Sequence, residues 1–271
     1  MPTDTLILGA SGFIGQHLAR LLPLARRPGR AELDLGDPAA ISAALRAWRP
    51  RRVFNLAGSG ARPGQGDPAT LHRLNTLLPA RLQDGLAALG GPRALIHAGS
   101  IAEEGDSAYG RSKRAGSEAL RAAGESEVIT LQLRLFQVFG PGEAQGRLLP
   151  SLLALARGER SPPLALGDPC EARDWLFVED AATLMLQLSA APRSGTVELG
   201  SGQLRTVEEV VGVAASLLGL EPTSFLWNAR PSTPVPQRPA DLRELHDRLG
   251  PRSLTPFEQA LALSLSPEEG R

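Results

Sequence analysis

The chain has 271 residues, 42% of them hydrophobic, enough apolar material for one large α/β domain or a domain with an appendage. Its 29 basic and 29 acidic side chains cancel to a formal net charge of zero, which argues against nucleic acid or an anionic membrane as a bulk partner. A single cysteine, Cys170, excludes an intrachain disulfide and a thiolate zinc cluster, and no basic-flanked apolar leader or long apolar run is visible, so a soluble cytoplasmic protein is expected.

Thr5-Leu6-Ile7-Leu8 reads as a buried parallel strand that enters Gly9-Ala10-Ser11-Gly12-Phe13-Ile14-Gly15 and then a helix over Gln16 to Leu22. Strand, glycine turn and helix in that order is the context of a dinucleotide fingerprint, here spaced GxxGxxG. The glycines allow a tight turn and let the backbone approach a pyrophosphate at the positive helix N-terminus. The next segment is compact. No full second strand ending in an acid is evident before Ala31–Leu35, and Arg26, Arg27 and Arg30 lie where a 2′-phosphate would be met. Asp37 as N-cap with Pro38 in the first turn predicts a helix to Trp48. Arg52 to Gly58 reads as a buried strand ending in a small-residue turn, and the Gly- and Pro-rich loop Ser59–Pro68 as a wall of the site. Leucines at helical spacing predict a long helix over Ala69 to Leu89, kinked at Pro79.

Ala94 to Ala98 is the next strand, followed by Gly99-Ser100, and ligands of open α/β sheets sit outside the carboxyl ends of strands. His97 reads as a packed core residue, and Glu103, Glu104 and Asp106 as a solvated turn. The sole tyrosine and the sole lysine of the chain, Tyr109 and Lys113, then stand one helical turn apart. A neighbouring ammonium favours phenolate, so the spacing predicts a Tyr109 pKa lowered towards neutrality and a phenol fit for general acid–base catalysis. A helix from Tyr109 to about Gly124 and a strand from Val128 to Leu135 follow. Later come a helix over Arg147 to Gly158, a strand over Gly195 to Leu199, and a helix over Val207 to Leu218 with Gly219 as C-cap. His17, His72 and His246 have no metal-ligand spacing, and no metal is assigned.

The glycine turn and the Tyr109/Lys113 pair together resemble the extended short-chain dehydrogenase/reductase family, the NAD(P)-dependent nucleotide-sugar epimerases, dehydratases and ketoreductases, over nearly the whole chain. The resemblance implies an α/β fold, a Rossmann-type doubly wound parallel sheet formed by residues 1–142 and 174–200, with a smaller C-terminal substrate-binding lobe of 143–173 and 201–271. It implies a catalytic set of Ser100, Tyr109 and Lys113. The cofactor, NADP or NAD, is expected on Gly9, Ser11, Gly12, Phe13, Ile14 and Gly15. Further contacts are expected from Asp34 and Leu35 of an Asp-Leu-x-Asp element, from Leu56, Ala57 and Gly58 after Asn55, from Asn75 behind the lysine, and from Tyr109 and Lys113 themselves. The segments around Arg134, Phe139-Gly140-Pro141-Gly142, Arg173-Asp174 and Arg238-Pro239 resemble further family motifs, with Gln137 and Glu198 where Asn is usual. Ser100, Arg147, Arg173 and Arg238 are then expected to hold a nucleoside-diphosphate sugar, since a guanidinium fork suits phosphate. A homodimer through the helices Ala69–Leu89 and Tyr109–Gly124 would match the family. The segment between Ser100 and Tyr109 is much shorter than is usual there. The family's dehydratases carry Asp-Glu directly after the catalytic hydroxyl residue. Ile101 and Ala102 stand here instead, so the expected reaction is reduction of a 4-keto group, with 4-epimerisation as the alternative and a non-catalytic NAD(P) sensor as a third reading.

Overall fold

The computed structural model describes residues 4–60, 67–122, 127–228 and 237–266. Its centre is a five-stranded, wholly parallel sheet of β1 (Thr5–Leu8), β2 (Arg52–Asn55), β3 (Arg93–Ser100), β4 (Val128–Leu135) and β8 (Gly195–Leu199), hydrogen-bonded in that order. Side chains alternate across each strand. Ile7, Phe54, Ile96, Leu131 and Leu133 face α1 (Phe13–Leu21) and α7 (Val178–Ala190), while Leu6, Leu8, Val53 and Leu95 face α2 (Pro38–Trp48), α4 (Leu78–Ala87) and α5 (Ala108–Ala122). Both faces are covered, as parallel sheets require.

The compact segment after α1 leaves the outer side of β1 with one partner. Arg26 donates its backbone N–H to the Thr5 carbonyl at 2.9 Å and accepts from Ile7 at 2.9 Å, a single bridge where a strand would otherwise lie. Asp37 caps α2 through the Ala39 N–H at 2.8 Å, with Pro38 at its first position. The helix expected from Ala69 to Leu89 runs instead as α3 (Pro68–Leu71), a π-helical stretch over His72–Leu77, and then α4. Pro79 has no N–H to return to the Asn75 carbonyl, so the chain relaxes into the wider turn just before it.

Beyond the sheet, β5 (Gln137–Phe139) pairs parallel with β7 (Ala172–Phe177), which pairs antiparallel with β9 (Leu204–Thr206). A second small sheet joins β6 (Leu164–Leu166) to β10 (Phe225–Trp227). With α6 (Leu148–Ala156), α8 (Val207–Leu218), α9 (Arg243–Leu249) and α10 (Phe257–Leu265) they pack onto the α1/α7 side of the core. The expected C-cap of α8 is present, Gly219 at φ 66°, and a capping box of Thr206 with Glu209 opens the helix. Asp174, on β7, is 1% exposed and fastens this region. Its carboxylate accepts from Ser201 N (2.5 Å), Ser201 Oγ (2.7 Å), Gly202 N (2.9 Å) and Ala240 N (2.9 Å). No described helix is long and apolar enough to cross a membrane.

Candidate active site

The carboxyl ends of β1, β2 and β3 open into a cleft of about 1310 Å³ that extends between the sheet and the β5–β7 region. One wall is the glycine turn. Gly9 sits at φ 80°, and a Cβ there would lie 2.7 Å from the Ala57 nitrogen; a Cβ on Gly15 would overlap the Gly9 carbonyl. Only a backbone without side chains packs this closely. Gly12 gives α1 no side-chain cap and no acid stands in its first turn, so the N–H groups and positive end of the helix dipole remain for an anion. Gly9, Gly12, Phe13, Ile14, Gly15, Leu56, Ala57 and Gly58 line the cleft together, a cradle that fits a nicotinamide dinucleotide.

Ser100, at the end of β3, and Tyr109 and Lys113, on α5, line the same cleft. The Ser100 hydroxyl stands beside the phenol of Tyr109 and favours its ionised form. Lys113 is buried and donates Nζ to the Ala98 carbonyl at 2.6 Å. The expectation that Lys113 lowers the Tyr109 pKa is not met. Burial raises it above its ordinary value, with Glu103 adding in the same direction, against the lowering effects of Ser100 and Arg147. Burial also lowers Lys113 to about 8. Both effects follow from moving a charged form out of water. At neutral pH the phenol keeps its proton, which makes it a donor.

Asn75 does not line the cleft but stands behind it, fully buried. Its Oδ1 accepts from Ser59 N at 3.0 Å, and its Nδ2 donates to Ser59 O and Ser112 Oγ, both at 2.9 Å, while Ser112 Oγ donates to the Tyr109 carbonyl at 2.7 Å. Asn75 thus ties the turn after β2 to the first turn of α5. Ser59 and Gly60 form part of the wall expected from the Ser59–Pro68 loop, of which residues 61–66 lie outside the described residues. His97 is a core residue, paired with Asn55 at 3.1 Å and held well below its ordinary pKa by burial and by Lys113.

Several expected contacts are not in the cleft. Ser11 is exposed at the turn, and Asp34 is exposed and accepts from Gly36 N at 2.8 Å within its own turn, while Leu35 packs against the core under α2 and α4. Of the three arginines expected near a 2′-phosphate, only Arg30 lines the cleft. Arg26 is paired with Glu32 at 2.7 Å over the Trp48 ring, and Arg27 donates to the Pro23 carbonyl at 3.3 Å.

The far wall carries two guanidinium groups, Arg147 at the start of α6 and Arg173 on β7. Arg147 pairs with Glu143 at 3.4 Å and Arg173 with Glu171. Burial and the nearby Arg147 charge depress the Arg173 pKa, so the two cations crowd one another and an anion between them would be welcome. Arg238 is elsewhere. It pairs with Glu198 at 2.6 Å and Glu104 at 2.5 Å, and lies over the Phe136 ring. The sequence could not decide this, because its motif position says nothing of the two acids that fold back on it.

Of the acids after Ser100, Glu104 and Asp106 are exposed as expected, but Glu103 is not. Residues Ile101–Glu104 form a 3₁₀ turn in which Glu103 is 5% exposed and reaches back to cap it. Asp106 is exposed and reaches Arg114 at 3.5 Å. A serine followed three residues later by a glutamate was a legible capping box, and was the missed signal.

A model of the NAD dependent epimerase/dehydratase family matches residues 5–200. The chain belongs to that family. The match spans the glycine turn, the Ser100/Tyr109/Lys113 set and the whole five-stranded sheet, and the cofactor is a nicotinamide dinucleotide. Among relatives of this family member, the dTDP-6-deoxy-L-talose 4-dehydrogenase (NAD(P)(+)) of Kitasatospora kifunensis is 30% identical over 92% of this chain and 90% of its own. A ceramide reductase of Caulobacter vibrioides is 31% identical over 80% of this chain and 71% of its own. Among solved structures, MoeE5 in complex with UDP-glucuronic acid and NAD superposes with a TM-score of 0.80 at 27% identity, covering 97% of both chains.

Proposed function

We propose that this protein is an NAD(P)H-dependent oxidoreductase that reduces a 4-keto group of a nucleoside-diphosphate sugar. The observation that carries the reading is that Ser100, Tyr109 and Lys113 share one cleft with two arginines, Arg147 and Arg173. A 30% identical relative named for a dTDP-6-deoxysugar and its 4-position, and a 27% identical structure holding a UDP-sugar and NAD, support the substrate class. When bound, the reduced nicotinamide supplies the hydride. The residues of the chain do the rest. Ser100 and Tyr109 hold the carbonyl oxygen by two hydrogen bonds, and Tyr109 Oη gives up its proton as that oxygen gains negative charge. Lys113, fixed on the Ala98 carbonyl, lines the same cleft and would hold the nicotinamide ribose. Arg147 and Arg173 take the diphosphate, whose charge replaces that of Glu143 and Glu171 beside them.

Dehydration lacks its residues. Ile101 and Ala102 line the cleft and transfer no proton, while Glu103 is engaged at Ser100 N and does not line the cleft. Reduction needs only one proton, which Tyr109 has. A cleft with two arginines also favours a diphosphate over a neutral lipid such as ceramide, which would leave both unused.

The test begins with purified protein examined for carried-over nicotinamide. NADPH or NADH is then supplied with a nucleoside-diphosphate 4-keto-6-deoxy sugar, or with a keto lipid, and absorbance loss is followed. Oxidation of the cofactor with the sugar nucleotide is expected. Tightly retained NAD and interconversion of 4-epimers without cofactor consumption would replace the reductase by an epimerase. Turnover of the lipid alone would overturn the substrate class.

A further inference from the structure

Glu103 is an acid with no place in the reaction as written, yet it is among the few buried charged side chains of the described residues. Its Oε1 accepts the Ser100 backbone N–H at 2.8 Å, while Ser100 Oγ accepts the Ala102 N–H at 3.2 Å, the reciprocal pair of a capping box. The turn that carries it is wedged between β3 and α5. A Cβ on Gly99 would lie 2.7 Å from Glu103 Oε1, and a Cβ on Gly110, next to Tyr109, would overlap the Ala102 carbonyl. Arg114, on α5, donates to the Glu103 carbonyl at 3.1 Å. Ser100 is therefore held twice by this turn, by Glu103 at its backbone and by the Ala102 N–H at its hydroxyl, which stands beside Tyr109.

We propose that Glu103 is a positioning residue for the proton transfer: its carboxylate, anchored on the Ser100 N–H, fixes the turn that presents the Ser100 hydroxyl beside Tyr109. The inference rests on the catalytic reading of Ser100 and Tyr109 above. The same anchored carboxylate sets a negative charge near the phenol, where it adds to burial in favouring the protonated form.

The charges around this pair come from every element packed on it. On α5 stand Lys113 and Arg114. On β4, Arg134 approaches Glu103 at 3.7 Å and also meets Glu104 and Glu198 at 3.2 Å. Arg238 closes the network on Glu104 and Glu198, and Arg147, on the far wall, faces Tyr109. Arg134 is shared among three carboxylates, so it neutralises Glu103 only in part. The remaining negative charge acts on Tyr109 and Lys113, in each case favouring the protonated state.

The test uses the fact that Tyr109 is the only tyrosine in the chain. The ultraviolet band of tyrosinate, titrated with pH, reports that one phenol, with Tyr109→Phe as the blank and far-UV circular dichroism to confirm that the fold persists. Glu103→Gln keeps an acceptor for Ser100 N and removes the charge. Its midpoint is expected to fall below the wild-type value by about half a pH unit or more, the scale of a nearby charge. Glu103→Asp keeps the charge and loses the reach, so its midpoint stays near wild type while kcat falls and KM changes little. The high-pH limb of kcat should move down in Glu103→Gln, because loss of the phenol proton ends the reaction earlier. If Glu103→Gln does not fold, Gly99→Ala pushes the carboxylate off Ser100 N without altering it, and is expected to lower kcat about tenfold. Equal tyrosinate midpoints in wild type and Glu103→Gln, or an unchanged kcat in Gly99→Ala, would overturn the proposal. An active Tyr109→Phe protein would sink the catalytic reading instead, while the titration would still report the charge of Glu103.

Discussion

Asp174→Ala isolates the contribution of one buried carboxylate to both fold and site. The side chain is 1% exposed and accepts three backbone N–H groups and one hydroxyl from two segments far apart in sequence, Ser201-Gly202 and Ala240. Truncation leaves those donors without an acceptor, and each fully buried, unpaired group costs about 1–3 kcal/mol. Ala240 is buried, whereas Ser201 and Gly202 are only partly so and regain some bonding to water. Counting the Ala240 donor in full and the other three at about half gives a loss of about 2.5–7.5 kcal/mol, a large share of the 5–15 kcal/mol typical of whole proteins. Urea unfolding followed by circular dichroism measures it. Asp174→Asn should lose less, since its amide oxygen still serves Ser201 while its NH₂ faces the Gly202 and Ala240 donors. A loss below about 1 kcal/mol in the alanine variant would refute the reasoning, because the donors would then have found partners elsewhere. Asp174 lines the cleft beside Arg173, so weakened binding of a nucleoside diphosphate should accompany the loss.

Tyr109→Phe should lower turnover by about 10²–10⁴-fold while leaving cofactor affinity nearly intact, and retention of a tenth of the wild-type rate would contradict the role of the phenol. Glu143, held up to about 7 by burial despite Arg147, binds its proton more tightly folded than unfolded, so the stability it contributes is present below about pH 4.5 and lost as pH rises through about 7. Glu143→Gln should flatten that part of the stability–pH curve in thermal melts and be the more stable protein at pH 8; an unchanged curve would show that the carboxyl ionises freely. Cofactor titration by fluorescence should favour NADPH over NADH, and Arg30→Ala should remove the preference; equal binding in the wild type would end that expectation. Arg147→Ala and Arg173→Ala should each weaken a nucleoside-diphosphate inhibitor by tenfold or more, with Arg238→Ala nearly without effect on it.

Local signals in the chain were sufficient wherever chemistry and backbone geometry are fixed by neighbours in sequence. The glycine turn needs Gly9 and Gly15 whatever surrounds it, Asp37-Pro38 caps its own helix, and Tyr109 and Lys113 share a face because α-helices repeat every 3.6 residues. Even the shrunken second strand was legible, from the few residues between α1 and Leu33. What the tertiary structure decided were the properties that depend on distant segments. The Tyr109 pKa rises because burial in the cleft outweighs the help that the Lys113 spacing promised, and Lys113 Nζ is placed on the Ala98 carbonyl. Arg238 and Arg173 sit in motifs of equal promise. Only the fold sets Glu104 and Glu198 against the one and leaves the other in the cleft with Arg147. Spacing along a chain fixes which groups share a helix face, whereas burial and charge partners are sums over everything packed nearby, and those sums exist only once the chain is folded.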